Sequence, residues 1–510
     1  MPSSAKRVTH KSLIFLHKWL GVALALLFLM WFVSGIVLYF VPFPNLTQVE
    51  RLAGLPPLHF HQGCCMTAEQ ASARAGLKFS DARLGMHGDK PVWRLLGKPA
   101  HDAQAPSQWR AVDAERGHVV PTLSDAAAIQ VAEAFSGRKA LGTEALERDQ
   151  WTVPQGLNPY RPLLRVEMEG EDGLELYVSP GSAEVVRDTR RAERFWNWLG
   201  AVPHWIYFTE LRRYPNVWHN VIVWLAIPGV ILAVTGMVLG VWHMFLNRVR
   251  CIPYRQWWMR WHHISGLVAA LFALSWIFSG LLSMNPFGFF SPRSASPSEQ
   301  MRWVGEKPDV LLTPNAVAKP SGEGGAKEID LLYVAGQSWY RMRDADGRQA
   351  LVRVDMQALG SAQEPLTELP DDTVKTSLLG LRPTVDGAPV LTRLSKYDDL
   401  YYAREMSANT RFTRPLPVWR AQWGDGVTVY AAPASARLLL RADASNRWQR
   451  WLYNGLHSLD FAPLLARPLL RDGLVVVLSA LGIALCATSC VIAWRVLKPR
   501  KRKATRPLPG

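Results

Sequence analysis

The chain has 510 residues, 49% of them hydrophobic, with 22 tryptophans and a formal net charge of +16. A mean hydropathy near zero averages apolar spans with polar segments here, which excludes one uniform soluble fold. Five cysteines exclude a disulfide framework. The positive charge gathers at span ends, so it reads as a topology signal and not as a nucleic-acid footprint.

Lys6, Arg7, Lys11 and Lys18 lead into the first apolar run, residues 21–41, which opens with LHKWLG at 16–21. A bilayer core of about 30 Å needs roughly 20 helical residues. The run is too long for a signal-peptide core and no A-x-A-like site follows it, so it reads as a retained anchor. The polar stretch that follows carries HFHQGCCM at 59–66, a soft-metal set of imidazole, thiolate and thioether. Adjacent cysteines share one metal poorly, and an oxidising compartment can join Cys64 and Cys65 to each other or to another thiol. TAEQASARAGL and LSDAAAIQVAEAF have helical spacing behind a Thr or Ser N-cap. PLLRVEMEGEDGLELYVSPGSAEVV alternates as paired strands with turns at E-D-G and P-G.

The second span is expected at 221–241, and a short link holding Arg248, Arg250, Arg255, Arg260 and Cys251 follows it. WHHISG at 261–266 opens the third span, 264–282. Residues 291–327, rich in Pro, Ser and Gly, read as an irregular loop. YDDLYY at 397–402 reads as a half-buried strand whose phenol and carboxylate oxygens are also of a kind to meet ferric iron. PVWRAQWGDGVTVYAAPASARLLL repeats the paired-strand pattern. The fourth span, 474–494, holds Cys486 and Cys490 as small packing residues, and the tail reads KPRKRKATR. Basic residues before span one, between spans two and three and after span four put both termini on the cytoplasmic side and export both large segments.

The two halves match each other. At an offset of 245, His17/His262, Gly21/Gly266, Ala25/Ala270, Leu26/Leu271, Leu29/Leu274, Trp31/Trp276, Ser34/Ser279 and Gly35/Gly280 are eight identities in nineteen columns. At an offset of 253, the matches include Tyr177/Tyr430, Arg194/Arg447, Trp198/Trp451, His204/His457, Phe208/Phe461, Gly229/Gly482 and Thr235/Thr488. The expected fold is therefore an α-helical membrane protein with four transmembrane helices, arranged as two parallel helix–domain–helix repeats. Its units are a cytoplasmic N-terminus and first span (1–42), an exported α+β domain (43–194) and an interfacial lead-in with the second span (195–245). A cytoplasmic link (246–261) and the third span (262–284) come next. A second exported α+β domain (285–446), a lead-in with the fourth span (447–495) and a basic tail (496–510) complete the chain.

LHKWLG…SG, WHHISG…SG, YDDLYY and the lead-in RWQRWLYNGLHSLDF at 447–461 resemble the PepSY-associated transmembrane family, also called iron-regulated membrane proteins. The resemblance implies PepSY-like exported domains and a bacterial inner membrane, with both domains in the periplasm. It further implies haem-containing reduction of ferric siderophores, although family membership alone leaves activity open.

The histidines at span ends form two layers. His17, His243, His262 and His263 fall at the cytoplasmic ends, and His204, His219 and His457 at the exported ends. A helix from His219 to His243 rises about 36 Å, too far for one haem. Two layers therefore imply two haem sites, each with two axial imidazoles. His17, His262, His204 and His457 are the duplicated candidates for haem iron; His243 and His219 are further candidates without a counterpart, and His263, which aligns with Lys18, is the weakest. Pairing across the halves (His17 with His262, His204 with His457) competes with pairing inside one half. No C-x-x-C-H occurs, so the haem is b-type. Gly21 and Gly266, one turn from a candidate ligand, read as room for a flat macrocycle; close helix packing explains lone glycines equally well.

No G-x-G-x-x-G follows a strand, so the electron donor is external, membrane quinol or a soluble reductase. The expected function is an oxidoreductase passing electrons across the lipid bilayer to a ferric siderophore or other periplasmic acceptor. Its rivals are a non-enzymatic anchor that binds or restrains a partner such as a protease, and a transporter. Spans almost free of charged residues argue against the transporter.

Overall fold

A computed structural model describes residues 4–60, 64–246, 252–308, 311–317, 325–355, 364–406, 409–412 and 414–498. Four of its helices are long and apolar enough to cross a membrane: α1 (Ser4–Phe40), α2 (Pro215–Leu246), α3 (Trp257–Ser283) and α4 (Pro468–Leu497). Each contains an expected span, except that Val41 lies just past α1, and each starts well before its apolar run. Backbone hydrogen bonding does not stop where apolar side chains do, and long Lys stems carry a helix through a polar boundary.

α1 packs along α2 and α4, and α3 packs along the same two. α1 and α3 thus face one another across a four-helix bundle. A Cβ on Gly229 would lie 3.2 Å from the Phe28 ring, and one on Gly482 would overlap Phe32. These two glycines let α1 aromatics in, which is the close-packing role. Leu26 and Leu271 are 73% and 76% exposed on the outside of the bundle. Apolar side chains so exposed suit lipid and not water, and the chain is a multi-pass membrane protein.

Between α1 and α2 lie β1 (Leu77–His87), β2 (Lys90–Pro99), β3 (Gln108–Asp113), β4 (Ala140–Leu146), β5 (Leu163–Met168), β6 (Glu175–Ser179) and β7 (Glu184–Thr189). Between α3 and α4 lie β8 (Glu328–Val334), β9 (Gln337–Arg343), β10 (Gln349–Arg353), β11 (Val390–Leu394), β12 (Val418–Gln422), β13 (Thr428–Ala432) and β14 (Arg437–Ala442), with a hairpin at Arg404–Met406 and Asn409–Phe412. Two antiparallel four-stranded sheets run β4-β5-β6-β7 and β11-β12-β13-β14. The third sheet departs from expectation. It runs β10-β9-β8-β1-β2-β3, three strands from each segment, joined by antiparallel pairing of β1 with β8 through Arg83 opposite Asp330. Leu84, Trp93, Ile329 and Tyr340 share one core beneath it. The segments 43–194 and 285–446 thus share one sheet and its core, while each also has a core of its own, around Leu164, Val166 and Val178 in the first and around Trp303, Leu378 and Trp419 in the second.

The seam between β1 and β8 is ionic as well as apolar. Glu328 is fully buried and accepts two hydrogen bonds from Arg51, at 2.9 and 2.6 Å. Arg343 donates to the same carboxylate, and Arg83 lies 3.6 Å from it while donating to Glu184 at 3.0 Å.

The expected soluble helices form at Ala68–Arg74 and Asp125–Ser136, capped by Thr67 and Ser124. Residues 291–327 are less irregular than their composition suggests: Pro297–Val304 is helical, with a reciprocal Ser296–Glu299 capping box and Pro at the first turn. YDDLYY is a loop and not a strand, because the Asp398 carboxylate accepts the backbone N–H groups of Leu400 and Tyr401. Cys64 and Cys65 are buried and disulfide-bonded to each other. Their sulfurs are thus not free thiolate ligands, and His61 lies outside the described residues, as do Arg248, Arg250, Cys251 and the tail from 499 onwards. Cys486 packs with Phe32 and Ala273 in the bundle interior.

Candidate functional site

Two pairs of imidazoles meet inside the bundle, each joining one half of the chain to the other. The rings of His17 on α1 and His262 on α3 have their centres 6.3 Å apart at an interplanar angle of 40°. His204 and His457, on short helices leading into α2 and α4, have theirs 6.3 Å apart at 58°. From His17 to Ser34, which contacts His204, α1 rises about 25 Å, so the pairs occupy separate layers.

Every one of the four rings has its Nδ1 occupied. His17 Nδ1 lies 3.2 Å from the Leu232 carbonyl and 3.4 Å from Thr235 Oγ1. His262 Nδ1 lies 3.4 Å from Thr488 Oγ1 and 3.2 Å from Ser489 Oγ. His204 Nδ1 meets the Trp31 carbonyl at 3.2 Å and Ser34 Oγ at 3.3 Å, and His457 Nδ1 meets Ser279 Oγ at 3.1 Å. Each of these hydroxyls already donates to a carbonyl three or four residues back in its own helix. The hydroxyls must therefore accept from the imidazoles, which puts the proton on Nδ1 and a lone pair on Nε2. No Nε2 of the four has a hydrogen-bond partner among the described residues.

The spacing has a chemical meaning. An imidazole nitrogen sits roughly 1 Å from its ring centre and about 2 Å from a bound metal ion. Two rings sharing one ion therefore have centres about 6 Å apart, as both pairs do. Among the described residues no three His, Cys, Asp or Glu side chains converge as a metal-ligand group. Each pair presents two imidazole nitrogens at a spacing that suits one shared ion.

Glycines other than Gly21 and Gly266 admit the imidazole rings. A Cβ on Gly21 or Gly266 would meet a leucine methyl at 3.8 Å, an ordinary contact. A Cβ on Gly236 would lie 2.7 Å from His17 Cε1, and those on Gly35 and Gly280 would lie 3.2 Å and 3.5 Å from Cε1 of His204 and His457. Gly236, Gly35 and Gly280 hence accommodate the imidazoles themselves. Between the two layers Phe32 packs on Phe272 and Trp276 at ring distances of 6.4 and 5.8 Å, leaving an apolar interior.

The other candidates lie elsewhere. His243 has both ring nitrogens engaged, with His10 Nε2 at 3.0 Å and Tyr254 Oη at 2.7 Å. His263 is buried against Tyr254, 5.5 Å between ring centres. His219 is half-buried in the second turn of α2 and belongs to neither pair. The supporting groups Ser34, Ser279, Thr235, Thr488 and the Trp31 carbonyl were not singled out as site residues, although all fall in matched columns of the two halves. Ser489 replaces Gly236 in its column, so the second copy adds a hydroxyl acceptor where the first leaves a gap.

The family model described as the PepSY-associated TM region matches residues 14–496 of the chain. No curated protein matches the chain significantly.

Proposed function

Because the chain belongs to the PepSY-associated TM family, we propose that it carries electrons across a membrane through two b-type haems, one at each histidine pair, to an acceptor on the sheet side. The observation that carries this reading is the 6.3 Å ring spacing at both pairs. His17 with His262, and His204 with His457, would each hold such a group through two neutral imidazoles. When bound, haem iron supplies one-electron redox chemistry.

The chain's own residues hold and tune that group. Nδ1–H donation to carbonyl and hydroxyl oxygens fixes each tautomer and makes Nε2 a stronger ligand. The apolar layer around Phe32, Phe272 and Trp276 keeps water from the path between the sites. In this reading the halves are parallel repeats in a bacterial inner membrane. Lys11, Lys18, Arg255, Arg260 and Lys498 flank the far ends of the spans, which supports cytoplasmic termini and periplasmic sheets. Electrons enter from quinol or a soluble reductase, and a ferric siderophore is the leading acceptor.

Proteoliposomes with reductant confined inside and a ferric chelate outside test this, with iron(II) trapped colorimetrically. The haem-loaded protein should generate iron(II), and His17→Ala should slow it at least about tenfold although it lies far from the acceptor side. Rates equal to empty vesicles for the unmodified protein would favour the partner-binding anchor. Removing one supporting hydroxyl should act more gently: Ser279→Ala is expected to weaken haem retention at the sheet-side pair by about tenfold, read by titrating haem into apoprotein.

A further inference from the structure

We propose that Tyr254, His243 and His10 form a proton path at the far end of the bundle, which takes up the protons a quinol releases as its electrons enter the His17–His262 layer. Hydrogen bonds join the three in a row: Tyr254 Oη lies 2.7 Å from His243 Nδ1, and His243 Nε2 lies 3.0 Å from His10 Nε2. They come from separate elements, His10 from α1, His243 from the last turn of α2 and Tyr254 from the link before α3. The Tyr254 ring packs on that of His263, with centres 5.5 Å apart, and His263 follows His262 in the chain. His10 stands seven residues before His17, about 10 Å further along α1. The row thus starts beside the far histidine layer and leads away from it.

An imidazole takes a proton at one nitrogen and gives one from the other, and a phenol does both at its oxygen. Two arrangements therefore satisfy the row. In one, Tyr254 donates to His243 and His243 donates to His10; in the other, His10 donates to His243 and His243 to Tyr254. Moving one proton along each link converts the first into the second, so a proton delivered at Tyr254 leaves from His10. A quinol becomes a quinone by giving up two electrons and two protons, whereas the proposed route carries electrons alone, each reducing one ferric iron. The protons need an outlet at the entry end, and a soluble one-electron reductase needs none. The row therefore favours the quinol as donor, and it rests on the electron-carrier reading. Trp257 and Trp261, both exposed in the first turns of α3, give a lipid-dissolved donor an apolar approach to this end.

Two measurements test the path, one of them independent of electron transfer. In nitrogen NMR of protein carrying isotope-labelled histidine, the ring nitrogens of His243, assigned by their loss in His243→Gln, should give averaged shifts as the proton exchanges between them. Tyr254→Phe should separate the two shifts, and a single fixed tautomer in the unmodified protein would overturn the path. The second measurement is anaerobic reduction of the haem-loaded protein by duroquinol, followed at the α-band. Tyr254→Phe and His10→Gln should slow it at least about tenfold and abolish the slowing that heavy water imposes on the unmodified protein. Haem content and reduction by dithionite, which supplies electrons alone, should be unchanged, with a thermal melt as control for folding. Equal duroquinol rates in all three proteins, or reduction by dithionite but not by duroquinol, would overturn the path and leave the electron-carrier reading standing. A colourless protein would remove that reading and the path together.

Discussion

Replacing His262 with alanine is expected to halve the haem content of the purified protein, from two per chain to one. The reason is geometric. His262 and His17 are the only imidazoles that the described residues bring together in the far layer with their Nε2 atoms unengaged, and a single remaining ligand leaves one axial position open. His17→Ala should give the same loss, and the double variant should lose no more than either single one, because the two residues serve one site. His204→Ala and His457→Ala should do likewise for the sheet-side layer. His243→Ala and His219→Ala should retain both haems. His243 already spends its nitrogens on His10 and Tyr254. Pyridine haemochrome against protein mass reads all of these, and full haem in His262→Ala would remove the pairing across the halves.

Glu328→Ala should be the most damaging change outside the membrane. It strips the carboxylate that Arg51, Arg83 and Arg343 surround and leaves their guanidinia in a buried seam. Breaking a buried pair by removing one partner costs about 3–5 kcal/mol. The thermal midpoint of the sheet-rich part should fall by about 10 °C, followed by tryptophan fluorescence in detergent, with the haem spectrum unchanged below the transition. Burial alone would raise the Glu328 pKa, but the guanidinia of Arg51, Arg83 and Arg343 more than reverse this and hold it well below the carboxylate range. A depressed folded pKa gives stability that is fully present above the unfolded value of about 4.5 and lost as pH falls towards the folded one. The gap between the unmodified protein and Glu328→Gln should therefore stay constant from neutral pH to about 5 and shrink only below about 4.5.

The spans and the four duplicated histidines were legible in the sequence because each depends on local pattern or on self-similarity, whereas the sequence left open whether they pair across the halves or inside one. A run of apolar residues announces a helix wherever it folds, and the matched columns around His17 and His204 held the ligand candidates and most of their supporting groups. What those columns did not reveal was function by position: Ser34 and Ser279 are matched residues like the others until the imidazoles of His204 and His457 stand beside them. Gly35 and Gly280 admit rings from the other layer, a relation between residues far apart that helical spacing cannot express. The joined six-stranded sheet was illegible for the same reason, since β1 and β8 are separated by both a sheet and two spans. YDDLYY misled because tyrosines favour strands, whereas the Asp398 side chain captures two backbone N–H groups and turns the chain.

The most direct test of the account is the visible spectrum of protein purified in mild detergent, recorded before and after dithionite, with haem counted against chain. Two b-type haems per chain, with a sharp α-band on reduction from iron held by two imidazoles, is the predicted result. A colourless preparation, even from cells grown with added haem precursor, would contradict it.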